Sequence, residues 1–240
     1  MEIKVITLKS AEKRRNKFIE RNKHIKYEFV DAVVGKELSE EIYYDKSLIN
    51  WDKLEYTPGA IGNALSHLSL WNEVIEKNTP MTILEDDAAT HYDFYDKQKE
   101  VMRNLPEDWD IVTWGYNFDA VLGINIATGI VYINHVEPRE SFDEEKLTEY
   151  QSQQINPELY KTQFYWGLCG YSISPKGAKL YKEKCFPLTN FIKIYANTRV
   201  ANRGLDTAMT LVHPESKSYF CFPTIVYNQN IETDVWPNKT

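Results

Sequence analysis

Met81-Thr82-Ile83-Leu84 runs directly into Glu85-Asp86-Asp87-Ala88, four apolar or β-branched residues followed at once by three carboxylates. The apolar part reads as a short buried strand of a parallel sheet, and Asn78-Thr79-Pro80 supplies a turn before it. Open α/β sheets bind ligands at the carboxyl ends of their strands, so the carboxylates are expected at the rim of a crevice. With an extended backbone, Glu85 and Asp87 point one way and Asp86 the other. Three adjacent negative charges repel unless a cation joins them. Mg²⁺ or Mn²⁺, held by one or two carboxylates and by substrate phosphates, suits that arrangement. The competing reading is a solvated acidic loop after a core strand.

The chain's 240 residues suit a single domain with a full core. A net charge of -7 argues against wholesale nucleic-acid binding but not against a nucleotide whose phosphates a metal offsets. Cys169, Cys185 and Cys221 are odd in number and widely spaced. That pattern suggests no disulfide framework and no zinc site, and hence a reducing compartment. The sequence opens on a strand rather than a signal peptide and has no spanning apolar run, which leads to the expectation of a cytoplasmic protein.

Taken in order, residues Ile3 to Leu8 form a strand. Ser10 is placed as the N-cap of a helix over Ala11–Asn22, with Phe18 and Ile19 inward. Arg14 and Arg15 are either solvated or in contact with a phosphate. Tyr27 to Val30 makes a second strand ending at Asp31-Ala32, a β-α-β start that implies a parallel pair. Thr57 caps a helix that Pro58 opens, and Ile61, Leu65, Leu68, Trp71 and Ile75 recur at core-facing spacing. Gly59 and Gly62 permit close approach. Ser66 and His67 are adjacent and point apart, so locally His67 reads as a structural histidine.

Further helices are expected at Asp93–Asn104, from Ser174-Pro175 to Lys184, and from Gly204 with Leu205, Met209 and Val212 on one face. Further strands are expected at Ile111–Trp114, Val131–Val136, Phe164–Ile173 as one unit, and Tyr219–Phe222. The acidic, polar stretch that begins at Glu137 reads as a mobile loop over residues 137–162. The tail after Pro223 reads as a surface wrap. Together these give one α/β domain, a mostly parallel central sheet flanked by helices.

Several segments then line up with one family. They are Ile6-Thr7-Leu8 with Arg14-Arg15, and Gly59-Ala60-Ile61-Gly62-Asn63-Ala64-Leu65-Ser66-His67, where the family favours Gly-x-x-Gly-x-x-x-Ser-His. Ile83 to Ala88, Gly170-Tyr171-Ser172-Ile173-Ser174 with Gly177-Ala178, and Gly204-Leu205-Asp206 complete the set. In this order, they resemble glycosyltransferase family 25, the bacterial lipopolysaccharide and lipooligosaccharide glycosyltransferases related to the collagen galactosyltransferases. The chain departs from the family at Asn63, often Cys there, and at Thr233-Asp234, where the family has Ser before a late Asp.

The resemblance implies a GT-A-type fold and inverting transfer from a nucleotide sugar, commonly UDP-galactose, to a glycan or glycolipid acceptor. It implies Mn²⁺ or Mg²⁺ on Glu85 and Asp87. Asp206 becomes the first choice for the general base, with metal ligand as its other role. Thr7, Leu8, Arg14, Asp31 and Ala32 would surround the nucleotide. Gly62, Ser66, His67, Asp86, Gly170 and Tyr171 would belong to the active cleft, and His67 joins Asp87 and Asp206 as a catalytic candidate. Peripheral attachment at the inner membrane face would suit glycolipid acceptors. Two rivals are weighed. A nucleotidyltransferase that makes nucleotide sugars usually has a Gly-rich loop after its first strand, and Leu8-Lys9-Ser10-Ala11 has no glycine. A non-catalytic sugar-binding module has no need of an intact Glu85-Asp86-Asp87.

Overall fold

The computed structural model describes residues 1–52, 54–117, 121–128, 130–135, 144–195 and 198–228. The first half alternates as expected. It runs β1 (Glu2–Thr7), α1 (Glu12–Arg21), β2 (Glu28–Asp31), the short α2 (Glu40–Tyr44), α3 (Pro58–Lys77) and β3 (Met81–Glu85). Next come β4 (Ala89–Thr90), α4 (Phe94–Met102), β5 (Ile111–Gly115), β6 (Val121–Ala127), β7 (Ile130–His135) and α5 (Glu144–Ser152). The remainder is β8 (Glu158–Phe164), β9 (Gly170–Ile173), α6 (Pro175–Cys185), β10 (Ile192–Tyr195), β11 (Thr198–Ala201), α7 (Leu205–Val212), β12 (Ser218–Phe222) and β13 (Val226–Tyr227).

Helix starts follow side-chain chemistry where it is present. Thr57 Oγ1 accepts the Ala60 N–H at 3.1 Å, and Ser174 Oγ accepts the Gly177 N–H at 3.0 Å, each ahead of a first-turn proline. The expected Ser10 cap does not form: α1 begins after Ala11 without a side-chain cap. Phe18 is buried, whereas Ile19 is 44% exposed. Consecutive helix residues lie about 100° apart, so only one of the two meets the sheet.

Nine strands form the main sheet in the order β2-β1-β3-β9-β5-β12-β8-β6-β7. The expectation of a mostly parallel sheet is corrected here. β1 is parallel to β2 and β3, and β5 to β12, but the other five neighbouring pairs are antiparallel. The physical reason lies in residues 164–173. They are not one strand but the end of β8, a bend through Gly167 at φ 94°, and β9. The chain keeps its direction through that bend, crosses β12 and β5, and β9 inserts between β3 and β5, antiparallel to both. The polar stretch read as a mobile loop contains α5 and the start of β8, and its residues 137–143 lie outside the described residues. The tail is not a surface wrap as far as Asn228, because β13 pairs with β4 and Ile225 to Asn228 are buried. Thr233-Asp234 lies outside the described residues.

Alternation along the central strands fills both faces of the sheet. Ile83 and Ile111 pack toward α3, α6 and α7, while Leu84 and Val112 pack toward Phe18 of α1 and Phe94 and Val101 of α4. No helix among the described residues is long and apolar enough to cross a membrane.

Candidate functional site

β1 and β3 run parallel, with Ile6 beside Glu85, so both strands deliver their carboxyl ends to one place. Thr7 Oγ1 donates to Asp86 Oδ2 at 2.7 Å, and Arg14 Nε lies 3.4 Å from Asp86 Oδ1. Asp86 is therefore buried but paired. The extended geometry expected for the three carboxylates stops at Glu85. There the Ala88 N–H donates to the Glu85 carbonyl at 3.1 Å and closes a turn. Glu85, Asp86 and Asp87 consequently reach three different sets of partners, and strand alternation does not decide which share a side.

The opposite wall is the segment after β2. The Ala32 N–H donates to the Thr7 carbonyl at 2.8 Å, and the Val33 N–H to Ser66 Oγ at 2.8 Å. Ser66 Oγ donates in turn to the Gly62 carbonyl at 2.6 Å. Gly35 and Gly62 let this wall press onto the start of α3. A Cβ on Gly35 would lie 1.7 Å from the Pro58 carbonyl oxygen, and one on Gly62 would lie 2.4 Å from that of Val33.

Between the walls lies a cleft of about 420 Å³. Thr7, Leu8, Arg14, Ala32, Glu85, Asp86 and Asp87 line it, as do Val33 to Lys36, Thr57 to Gly59 and Asn63, none of which sequence reasoning placed among the candidate site residues. Gly62 and Ser66 are not among the lining residues and build the wall from behind. Asp31 is exposed and ion-paired with Lys9 at 3.0 Å. Gly170 is not in the lining either, since a Cβ there would strike Val226 and Leu84.

His67 and Tyr171 are fully buried behind Glu85. The Trp71 indole N–H can only donate, and it reaches Tyr171 Oη at 2.8 Å. The Tyr171 hydroxyl is then free to donate to His67 Nδ1, also at 2.8 Å, which leaves the His67 hydrogen on Nε2, 3.4 Å from Glu85 Oε1. Asn63 Nδ2 donates to the same Glu85 oxygen at 2.6 Å. Asn63, His67 and Trp71 recur every four residues and so share one face of α3, a sequence signal that the Ser66-His67 neighbourhood obscures. Burial pushes the Glu85 carboxyl up, but the hydrogen bonds from His67 and Asn63 and the nearby positive charge outweigh it and hold the group below its ordinary range. His67 cannot touch substrate from this position and acts on the cleft through Glu85.

Tyr171→Phe is expected to leave the Trp71 N–H and His67 Nδ1 buried without a partner. Each orphaned group costs about 1–3 kcal/mol. A loss of at least about 2 kcal/mol in urea unfolding, together with a changed His67 tautomer in ¹⁵N NMR, is the expected result. Unaltered stability and tautomer would remove this chain of bonds from the account.

Asp87 has the opposite electrostatics. Burial, then the charges of Glu85 and Asp86, push its carboxyl up to about 7. Asn228 Nδ2 donates to Asp87 Oδ2 at 3.1 Å, while Oδ1 is buried with no hydrogen-bond partner among the described residues. An unpartnered carboxylate oxygen beside two further carboxylates suits a hard divalent cation. No group of three or more His, Cys, Asp or Glu gathers for a metal among the described residues. That leaves the one or two carboxylates Mg²⁺ or Mn²⁺ commonly takes from a protein when phosphates complete its shell.

Asp206 stands in the first turn of α7, with Leu205 and Met209 in the core. Its Oδ2 accepts the Gly167 N–H at 2.9 Å and its Oδ1 the Thr207 N–H at 2.7 Å. Burial raises its carboxyl, these two bonds oppose the rise, and the Glu85 charge adds to it, for a net upward shift. Asp206 thus lies within electrostatic reach of the carboxylates, though it is not among the residues lining the cleft.

Comparison with known proteins adds the following. The family model described as glycosyltransferase family 25 (LPS biosynthesis protein) matches residues 1–188. Human procollagen galactosyltransferase 2 is 30% identical over 130 residues, 48% of this chain and 20% of that protein. A putative glycosyltransferase of Haemophilus influenzae is 25% identical over 184 residues, 75% of this chain and 56% of that protein. The chain thus spans about a fifth to about half of the length of these relatives. The crystal structure of A197 from STIV aligns over 94% of this chain and 83% of that one, with a TM-score of 0.40 and 14% identity.

Proposed function

The chain belongs to glycosyltransferase family 25, and on that premise we propose that it transfers a hexose, galactose first among the candidates, from a UDP-sugar to a saccharide acceptor of lipopolysaccharide or lipooligosaccharide, with inversion. The observation that carries this reading is the Glu85-Asp86-Asp87 turn facing the cleft, with one Asp87 oxygen buried and without a hydrogen-bond partner among the described residues. Support for a GT-A-type arrangement comes from the parallel β2-β1-β3 run whose carboxyl ends open on that cleft. The galactosyltransferase name of the human relative supports the sugar, and the family description supports the acceptor class.

In this mechanism the nucleoside lies against Thr7, Leu8 and the Ala32–Gly35 wall. Asp87, with Glu85 beside it, would hold a divalent ion, which would supply positive charge against the departing diphosphate. Arg14 and Thr7 fix Asp86 so that the turn keeps its shape. His67, set by Tyr171 and Trp71, orients Glu85. Asp206 takes the proton from the acceptor hydroxyl, because inversion needs a base on the face opposite the leaving group. Family membership and the intact carboxylates speak against the nucleotidyltransferase and non-catalytic readings.

The test is UDP release from UDP-galactose, UDP-glucose and UDP-N-acetylhexosamines, with truncated lipooligosaccharide as acceptor, in Mn²⁺ or in chelator. UDP-galactose with Mn²⁺ is expected to be fastest. Release from none of these donors would overturn the transferase reading. Equal rates in chelator would overturn the metal.

A further inference from the structure

β10 and β11 form a two-stranded ribbon that joins neither of the other sheets. Its register sets Ile192 opposite Ala201 and Ile194 opposite Arg199. Residues two apart on one strand share a face with their cross-strand partners, so these four lie together. Ile192 is 54% and Ile194 69% exposed. A lone two-stranded ribbon has no second layer in which to bury such residues. The charge here also runs against the rest of the chain. The net charge is -7, yet residues 184–205 contain Lys184, Lys193, Arg199 and Arg203 and no acidic residue. Arg203 is neutralised by Glu55 at 3.1 Å. Lys193 and Arg199 are exposed, and neither makes an ion pair among the described residues.

We propose that this ribbon docks the protein on an anionic lipid bilayer. Ile192 and Ile194 enter the boundary between headgroups and acyl chains with Arg199 beside them on the same face, and Lys193, on the ribbon's other face, adds positive charge within a Debye length of the headgroups. Stable peripheral attachment takes two such signals, because a small apolar insertion or a few bases alone bind weakly. The location of the ribbon gives docking a consequence. The same face borders an open groove of about 960 Å³, lined by Leu54, Glu55, Ile192, Arg199 and Arg203 among others. Leu54 and Glu55 lead directly into Thr57 and Pro58 of the cleft. Beyond β11, Asn202 accepts the Tyr56 hydroxyl at 2.9 Å, and the chain continues to Asp206. A docked ribbon therefore turns the Asp206 side of the site toward molecules anchored in the bilayer. Docking stands independently of the proposed transfer; presentation of a lipid-borne acceptor rests on it.

Sedimentation with vesicles tests this without any assay of activity. Vesicles of phosphatidylcholine with about a third phosphatidylglycerol are expected to bind the protein, pure phosphatidylcholine vesicles to bind it far less, and added salt to release it. Ile192→Ser with Ile194→Ser should lower partition about tenfold or more, as expected for lost apolar insertion. Lys193→Glu with Arg199→Glu should lower it by more than an order of magnitude, each lost base alone counting for about fivefold. All four side chains are exposed, and circular dichroism should be unchanged. Equal binding to neutral and anionic vesicles, or unchanged binding of both double variants, would overturn the proposal. So would a concentration-dependent dimer that the isoleucine variant abolishes in a protein that ignores vesicles.

Discussion

Asp87→Asn is expected to lower transfer by about a thousandfold or more while making the metal-free protein more stable above pH 7. The loss follows from removing an ion worth several kcal/mol of charge stabilisation in the transition state. The stability gain follows from proton linkage. An unfolded aspartate titrates near 3.9. In the folded, metal-free chain, burial and the Glu85 and Asp86 charges move Asp87 up to about 7. Between those two values the folded state binds more protons than the unfolded one, so stability falls as pH rises, and the full penalty is present above about 7. Asparagine cannot ionise, and its carbonyl can still accept from Asn228 Nδ2. A gain of about 1 kcal/mol or more at pH 8, roughly 2–4 °C in Tm for a chain of this size, is expected in chelator, with no gain near pH 4. Saturating Mn²⁺ and UDP should invert the order, because only the wild-type protein gains binding free energy from the ion. A variant that melts lower than wild type at pH 8 in chelator, or that gains as much from Mn²⁺ as wild type does, would contradict this account of Asp87.

The parts of this site legible in the sequence are those written in local chemistry. Thr57-Pro58 and Ser174-Pro175 announce helix starts, because a hydroxyl and a proline act within one turn. Met81 to Asp87 announces a buried strand and its charged end because both fall within eight residues. Strand direction is not local. Phe164 to Ile173 stays apolar and aromatic through a bend that carries the chain from beside β12 to a place between β5 and β3, and Gly167 at positive φ was the one residue that could have marked the bend. Nor does anything near Asn228 point to Asp87, 141 positions away. Asn63, His67 and Trp71 are an intermediate case. Their four-residue spacing was available, but their common purpose appears only once Glu85 and Tyr171 arrive opposite them from other strands. The departure at Asn63 from the cysteine common in the family falls on a residue that bonds Glu85 directly, so the substitution acts at the site.

Asp206→Asn separates a base from a brace. Both carboxylate oxygens accept backbone N–H groups, one from Gly167 in the bend before β9 and one from Thr207 in its own helix. Asparagine keeps one acceptor and turns an NH₂ toward the other donor, so a stability loss of about 1–3 kcal/mol is expected whatever its role in transfer. As the base, Asp206 must be ionised to accept the hydroxyl proton. Its upward-shifted carboxyl then places the acid limb of kcat above the range of an ordinary aspartate. The variant should lose roughly a hundredfold or more in kcat, keep donor affinity near that of wild type, and lose that acid limb. Loss of metal and donor affinity in parallel with kcat would instead make Asp206 a ligand of the ion. Turnover per folded molecule close to wild type, with only the melting temperature reduced, would leave Asp206 as the brace that ties Gly167 to α7 and take it out of the chemistry.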